Sequence, residues 1–449
     1  MENSIDMLSG SLTKKIVQFA LPIVLTSIVQ QLFNSADTAI IGRFGESGAL
    51  AAVGTNGETV AMLVSLSSGF AVGANVLISR LIGSGRLGSI RRAVSTSVIT
   101  AVIFGTFLAA AGALCAMPLL KLINTPEDIL SEAVTYLRVY CLSVPFLMLY
   151  DFGAAVFRSR GDSKRPLIAL VISGVVNIFL NLIFVVIFKM NVVGVALATV
   201  IATAISAGIV IFWLIREKGE FRLTLRMFDW SCFSQMIRIG VPAALQGAVF
   251  CFANIFIQAS VNRFGSAAVA GSAVAMTFEY FTYYAITSLG QAATTFISQN
   301  YAAGRLDRCR RTLLICMALS FVSCAAMTVP LSVFCHQASA VFTSDPQEIE
   351  MSCTRIMLIL LFEPICTFYE IPAAAMRGVG WSALPAAETI IGTCLFRIVW
   401  VFTVFEHFQT LRSLYMVFPI TWVVTSAAVG ISCAVVWKRI SRKEQRADS

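Results

Sequence analysis

The run Leu21 to Ile41, LPIVLTSIVQQLFNSADTAII, holds the residue types and spacings that could do chemistry. It is long and apolar enough to cross a bilayer, yet it carries Asp37 with no basic residue within five positions on either side. An ionisable group at membrane depth costs ~2.5–3.5 kcal/mol on insertion scales, which marks it as a functional site by default. Thr26, Gln30, Asn34 and Asp37 step by four, four and three and so stack on one helical face. The opposite face is Ile23, Leu25, Ile28, Val29, Leu32 and Ala36. A polar stripe ending in an acid points to a helix lining a wet cavity; hydrogen bonding to neighbouring helices is the alternative. Two more ladders could join it: Ser173, Asn177 and Asn181 step by four, as do Thr199 and Thr203. Oxygens converging near a carboxylate suit a hard monovalent cation, and suit a proton-switched hydrogen-bond cluster equally. Taken singly, each Asn could instead make an interhelical hydrogen bond worth ~0.6 kcal/mol.

Further along, TFEYFTYYAIT (Thr277 to Thr287) sets Tyr280, Tyr283 and other aromatics around Glu279. Such a cluster could hold a lipophilic cation or form an interfacial aromatic belt. Glu363 and Glu370 share a face, with Arg397 as an ion-pair candidate, and Glu388 is a further cavity candidate. Asp151 precedes Arg158 by seven residues, as Glu370 precedes Arg377, so each acid shares a face with its arginine. That symmetry suits lobe architecture or a cytoplasmic gate. Pro22 removes one backbone hydrogen bond and could act as a flexible point on the first span.

These residues need a membrane scaffold. Of 449 residues, 57% are hydrophobic and 13% charged, with mean hydropathy +0.82, against about 25% charge in a soluble domain. At ~20 residues per span, the pattern predicts twelve spans: 15–41, 50–81, 93–117, 131–157, 166–188, 192–215, 234–260, 268–299, 309–334, 350–376, 384–405 and 412–437. The polar start, MENSIDMLSGSLTKK, lacks the layout of a cleavable signal. Lys and Arg number 25 on the loops of the amino-terminal side and 7 on the other, which predicts both termini in the cytoplasm of a cell with an inner (plasma) membrane.

The chain repeats itself. Gly85-Arg86-Leu87, Arg91-Arg92, Pro145, Arg158, Gly161 and Pro166 recur 219 residues later, and Pro22, Asn34 and Arg43-Phe44-Gly45 recur 220 later. Six spans per copy make the copies parallel. The expected fold is therefore an all-α membrane protein, twelve transmembrane helices in two six-helix bundles related by a pseudo-two-fold along the membrane normal. The predicted boundaries are an amino-terminal lobe at 1–216, a linker at 217–233, a carboxyl-terminal lobe at 234–437 and a basic cytoplasmic tail at 438–449. Asp37 has no acidic twin, since its counterpart region reads Phe256-Ile257-Gln258.

Other classes fit poorly. Twelve cysteines are scattered without CxxC, and His336 and His407 have no ligand-spaced partners, so neither a metal site nor a disulfide framework is expected. No P-loop, nucleotide domain or nucleophile–base set argues for a pump or an enzyme. Basic residues dispersed over short loops suit lipid headgroups and not nucleic acid.

LPIVLTSIVQQLFNSADTAIIGRFGESGALAAVG, GANVLISRLIGSGR, IGVPAALQG and SQNYAAGR resemble the multidrug and toxic compound extrusion (MATE) family across all twelve spans. The resemblance lies nearest its DinF-like branch, in the superfamily that also holds oligosaccharidyl-lipid and polysaccharide exporters. It implies a secondary antiporter, without cofactor, that exports organic cations or amphiphiles for H⁺ or Na⁺ by alternating access of two lobes. It assigns cation coupling to Asp37 with Asn177, Asn181 and Thr199, and Asn34 lies beside them on the stripe. Relatives often place Asp where this chain has Asn181. Gln30, Gln258, Glu279, Tyr280, Tyr283 and Glu388 are the expected substrate-cavity residues. Lipophilic or cationic small molecules and membrane lipids are the expected partners of a monomer. A flippase for lipid-linked oligosaccharide is the rival; such cavities tend to be more cationic, whereas Arg397 is the one basic residue read within a central span.

Overall fold

The computed structural model describes residues 4–46, 48–123, 125–224 and 227–448, with side chains as far as 442. Arg226 and the side chains of Lys443 and Arg446, counted among the cytoplasmic charges, lie outside the described residues. The described chain is helical throughout, without strands. Its long elements are α1 (Leu12–Phe44), α2 (Gly57–Gly83), α3 (Leu87–Leu122), α4 (Glu127–Cys141 and Val144–Ser159), α5 (Lys164–Ile187), α6 (Asn191–Arg216), α7 (Trp230–Asn262), α8 (Ser266–Ala302), α9 (Leu306–Val333), α10 (Pro346–Gly378), α11 (Ala383–Phe408) and α12 (Leu411–Arg442). Ten are single helices long and apolar enough to span a bilayer, and the bent pair of α4 makes eleven. The twelfth, α8, is 37 residues long and more polar, because Glu279, its tyrosines, threonines and glutamines interrupt the apolar run. Helix continues to Asp448 through the basic tail, as its Lys, Arg, Glu and Gln content favours.

The chain forms two compact units, the first Met1–Asp6 with Leu21–Ala248 and the second Met7–Ala20 with Val249–Ser449. The unit boundaries thus fall inside α1, next to Pro22, and inside α7, after Pro242, whereas the sequence placed the division at the 217–233 connection. In the first unit the cause is visible on α2. A Cβ on Gly69 would sit 2.4 Å from the Ala244 Cα, and one on Gly73 would sit 2.2 Å from the Met236 carbonyl oxygen. The Gly-x3-Gly pair lets α2 and the start of α7 pack backbone to backbone. The connection is itself tied to this unit: Arg91 donates to the Gly219 carbonyl (2.9 Å), Asp229 N–H to Thr96 Oγ1 (2.9 Å), and Arg92 pairs with Asp229 (3.3 Å). Glu217 takes Arg160 at 2.8 Å and also bonds Arg165. The Arg160 hydrogen bond, helped by Arg165 and opposed by burial, holds the Glu217 carboxyl down at about 2.

In the second unit the amino-terminal arm is a docked element. Asn300 Nδ2 donates to the Met7 carbonyl (3.1 Å), Arg308 reaches the carbonyls of Met7, Ser9 and Gly10 at 3.1–3.2 Å, and Arg305 bonds the Leu8 carbonyl. Met7, Ile16 and Phe19 are buried there, Phe19 edge-on to Phe296 at 5.7 Å.

The repeat extends to local geometry. Helix α2 is closed just past its end by Gly85 (φ +69°), with Arg86 N–H bonded to the Leu81 carbonyl, and α8 likewise by Gly304 (φ +71°), with Arg305 N–H bonded to the Asn300 carbonyl. Both are six-to-one caps that need a left-handed residue. Pro145 follows the 42° break in α4, and its copy Pro364 lies within the 3₁₀ turn Leu360–Cys366 of α10. Proline at these points removes a helix donor and fixes the break.

Candidate functional site

Asp37 lies three helical turns beyond Thr26 on α1, half-buried within the first unit. Its neighbour along the helix, Phe33, presses against α5 at Gly174, where a Cβ would come within 1.5 Å of the ring. That approach sets α1 against α5. Two turns beyond Gly174, Asn181 Nδ2 donates to Asp37 Oδ1 at 2.5 Å and lies 3.3 Å from Asn177 Oδ1. Thr199 on α6 reaches Asp37 Oδ2 at 3.4 Å. Immediately after Asn181 the helix widens into a π turn, Leu182–Ile187, a feature that often marks functional sites. Tyr136 and Tyr140 of α4 lie within electrostatic reach of the same carboxylate; no spacing in the sequence pointed to them.

Among the described residues Asp37 has no basic partner, and the Asn181 Oδ1 is buried without a hydrogen bond. The cluster thus gathers a carboxylate without a counter-charge and a buried amide oxygen without a donor. As placed, the Asn181 amide donates to the carboxylate. Rotated by half a turn, the same amide would present oxygen to a cation or to a protonated acid.

Other predicted members stand apart. Thr26, Ser173 and Thr203 turn to their own helix, bonding the carbonyls of Pro22, Leu170 and Thr199. Gln30 is half-buried and Asn34 exposed, and neither is hydrogen-bonded to the cluster. Asp151 accepts from Ser67 Oγ at 2.6 Å, with Arg158 in electrostatic range. Glu370 pairs with Arg377 at 3.4 Å.

The second unit departs from expectation at Glu279. Its carboxylate is not free for a cation: Arg355 on α10 grips it in a fork, Nε–Oε1 2.7 Å and Nη2–Oε2 2.9 Å, while Nη1 donates to Ser272 at 2.6 Å. Arg355 is 4% exposed. Arg397 is not the partner of Glu363 or Glu370 either. Glu363 bonds Thr282, and Arg397 makes one long contact with Asn254 (3.4 Å). Its guanidinium lies over Phe418 (4.1 Å) and Phe250 (5.1 Å), fully buried, with Nε and Nη2 unpartnered. So α10 and α11 bury three arginines, Arg355, Arg377 and Arg397, where one had been counted. Tyr280 is 39% exposed, Tyr283 lies beside Tyr369, Gln258 bonds Asn262 on its own helix, and Glu388 bonds Ser432.

Known proteins give this arrangement a context. The MatE family model matches twice, over residues 22–183 and 242–403, the same two copies at the 220-residue offset. The probable multidrug resistance protein NorM of Thermotoga maritima is 28% identical over 408 residues, covering 88% of this chain and 86% of its own. The probable multidrug resistance protein YoeA of Bacillus subtilis is 25% identical, covering 93% and 91%. The fold matches a solved outward-facing multidrug resistance MATE transporter with TM-score 0.89 at 22% identity, covering 97% of this chain and 98% of that one. Two family domains in tandem, on a two-unit helical membrane scaffold, establish that the chain belongs to the MATE family of transporters.

Proposed function

We propose that this transporter exports lipophilic or cationic small molecules across the plasma membrane in exchange for H⁺ or Na⁺, with Asp37 as the residue that takes up the coupling ion. The observation that carries the reading is the Asp37 carboxylate, without a basic partner and faced by Asn181 and Thr199. Ion uptake there changes which hydrogen-bonding groups Asn181 and Thr199 must present, and so biases the conformation of α1, α5 and α6. Exchange needs an ion affinity that differs between the inward- and outward-open states, since equal binding would drive nothing. Relatives described as multidrug resistance or export proteins support small organic substrates. Both termini lie in the cytoplasm, in keeping with the distribution of Lys and Arg.

The test is efflux of a lipophilic dye cation from proteoliposomes, with Na⁺ and pH gradients imposed separately. Asp37→Asn should abolish gradient-driven efflux while leaving the protein folded. Unchanged efflux removes Asp37 from the mechanism.

A further inference from the structure

Two thiols and an imidazole converge in the second unit, well separated in the chain from the Asp37 cluster. Helix α9 ends at Val333, and a short helix, Cys335–Ala340, turns back before α10 begins at Pro346. Cys335 opens the short helix, and Cys353 lies two turns into α10. A hydrogen bond from Ser339 Oγ to Ser352 Oγ (2.9 Å) braces the two helices together. The thiols of Cys335 and Cys353 and the imidazole of His336 then all lie within 4.8 Å of one another. Cys335 and Cys353 are 6% and 5% exposed, whereas the His336 side chain is 65% exposed, so the cluster is walled on the thiol side and open to water on the other.

The distances suit a tetrahedral metal. With metal–sulfur and metal–nitrogen bonds of about 2.3 and 2.05 Å, a zinc tetrahedron has a sulfur-to-nitrogen edge of about 3.5 Å. Cys335 Sγ and His336 Nδ1 are 3.5 Å apart. The other ring nitrogen, Nε2, faces Glu350 Oε2 at 3.6 Å. Both side chains are exposed, and a carboxylate so placed can move in to accept from Nε2–H when Nδ1 is the ligand, the usual support for a metal-bound imidazole.

We propose that Cys335, Cys353 and His336 Nδ1 bind a zinc-like, borderline-soft divalent cation, with Glu350 orienting the imidazole and water in the fourth position. Two thiolates and one imidazole select such a cation over Na⁺, Mg²⁺ or Ca²⁺, which take oxygen. On binding, the two thiols give up their protons to solvent and the metal clamps the short helix to α10. A Cys335–Cys353 disulfide would use the same sulfurs but give His336 and Glu350 no part.

The test uses the full-length chain in detergent, reduced with a phosphine, freed of metal and titrated with Zn²⁺ and Co²⁺. The expected result is one metal per chain, with the visible absorption of a tetrahedral thiolate-bound Co²⁺. Binding should be lost in Cys353→Ser and His336→Asn and weakened ~10–100-fold in Glu350→Gln, while Cys115→Ser, at an exposed thiol elsewhere, is unaffected. His336 is exposed, so its substitution tests the ligand without endangering the fold. Retained dye efflux in every variant shows that loss of metal is not loss of structure. The proposal is overturned if reduced parent protein takes up no more zinc than Cys353→Ser or His336→Asn. It is overturned equally if the two thiols are isolated as a disulfide and the reduced protein still binds no metal.

Discussion

The buried fork between Glu279 and Arg355 makes the sharpest prediction, because Glu279→Gln leaves a cation in the protein interior. Arg355 donates twice to the carboxylate and once to Ser272, and its side chain is 5% exposed. Breaking one side of a buried ion pair costs about 3–5 kcal/mol. The rings of Tyr415 (5.4 Å) and Phe418 (5.9 Å) sit beside the guanidinium with or without the carboxylate, so they do not enter the difference. The loss should therefore be about 3–5 kcal/mol. Arg355→Met should cost less, because Glu279, at 16% side-chain exposure, can reach water. The double variant Glu279→Gln with Arg355→Met should recover most of the loss, giving a coupling of at least about 1.5 kcal/mol. Equilibrium unfolding of the four proteins in mixed micelles measures this, with dye efflux in parallel. Additive single losses would refute the pair as a stabilising unit. Abolished efflux with unchanged stability would return Glu279 to substrate binding.

Three further outcomes follow from other sites. Gly174→Ala should drive Phe33 out of place and lower both stability and transport, by about 1–3 kcal/mol for overpacking, whereas Gly208→Ala, whose Cβ meets nothing within 4 Å, should be silent; equal effects would deny the close approach of α1 to α5. Arg397→Met should be neutral or raise stability by about 1–3 kcal/mol, since an apolar side chain replaces a buried charge that lacks an anion; a large loss in thermal unfolding would mean an anion holds it. Glu217, depressed from 4.5 to about 2, contributes stability that is fully present above pH 4.5 and lost as pH falls toward 2. Screening at the surface leaves about 1–2 kcal/mol of it, so the gap in unfolding temperature between parent and Glu217→Gln should close between pH 5 and pH 2.

What the sequence could say was set by the range of each signal. Hydropathy and the 219–220 offset made the helices and the duplication legible, because both are carried by neighbouring residues. The cluster at Asp37 was legible in part: helical stepping nominated Asn177, Asn181 and Thr199, but it nominated Ser173, Thr203 and Thr26 just as strongly. Those hydroxyls bond their own helix, as Thr199 also does to the Val195 carbonyl, and stepping alone cannot tell which side chain reaches a neighbouring helix as well. Glu279 and Arg355 are 76 residues apart, and nothing periodic joins them. His336 and Cys353 escaped for a related reason: metal-ligand spacing rules assume one short motif, while here a helical turn and a chain reversal bring the atoms together.

The docked arm at Met7–Gly10 carries a consequence for biosynthesis. Its partner Asn300 is 293 residues further along. At ribosomal speeds of about 5–20 residues per second, roughly 15–60 s pass between the arm's emergence and its partner's. For that interval Ile16 and Phe19, later in the interior, have no finished surface to occupy. The second unit thus cannot close around its own first segment until most of the chain exists, which makes early termination or a slow ribosome a direct threat to its assembly.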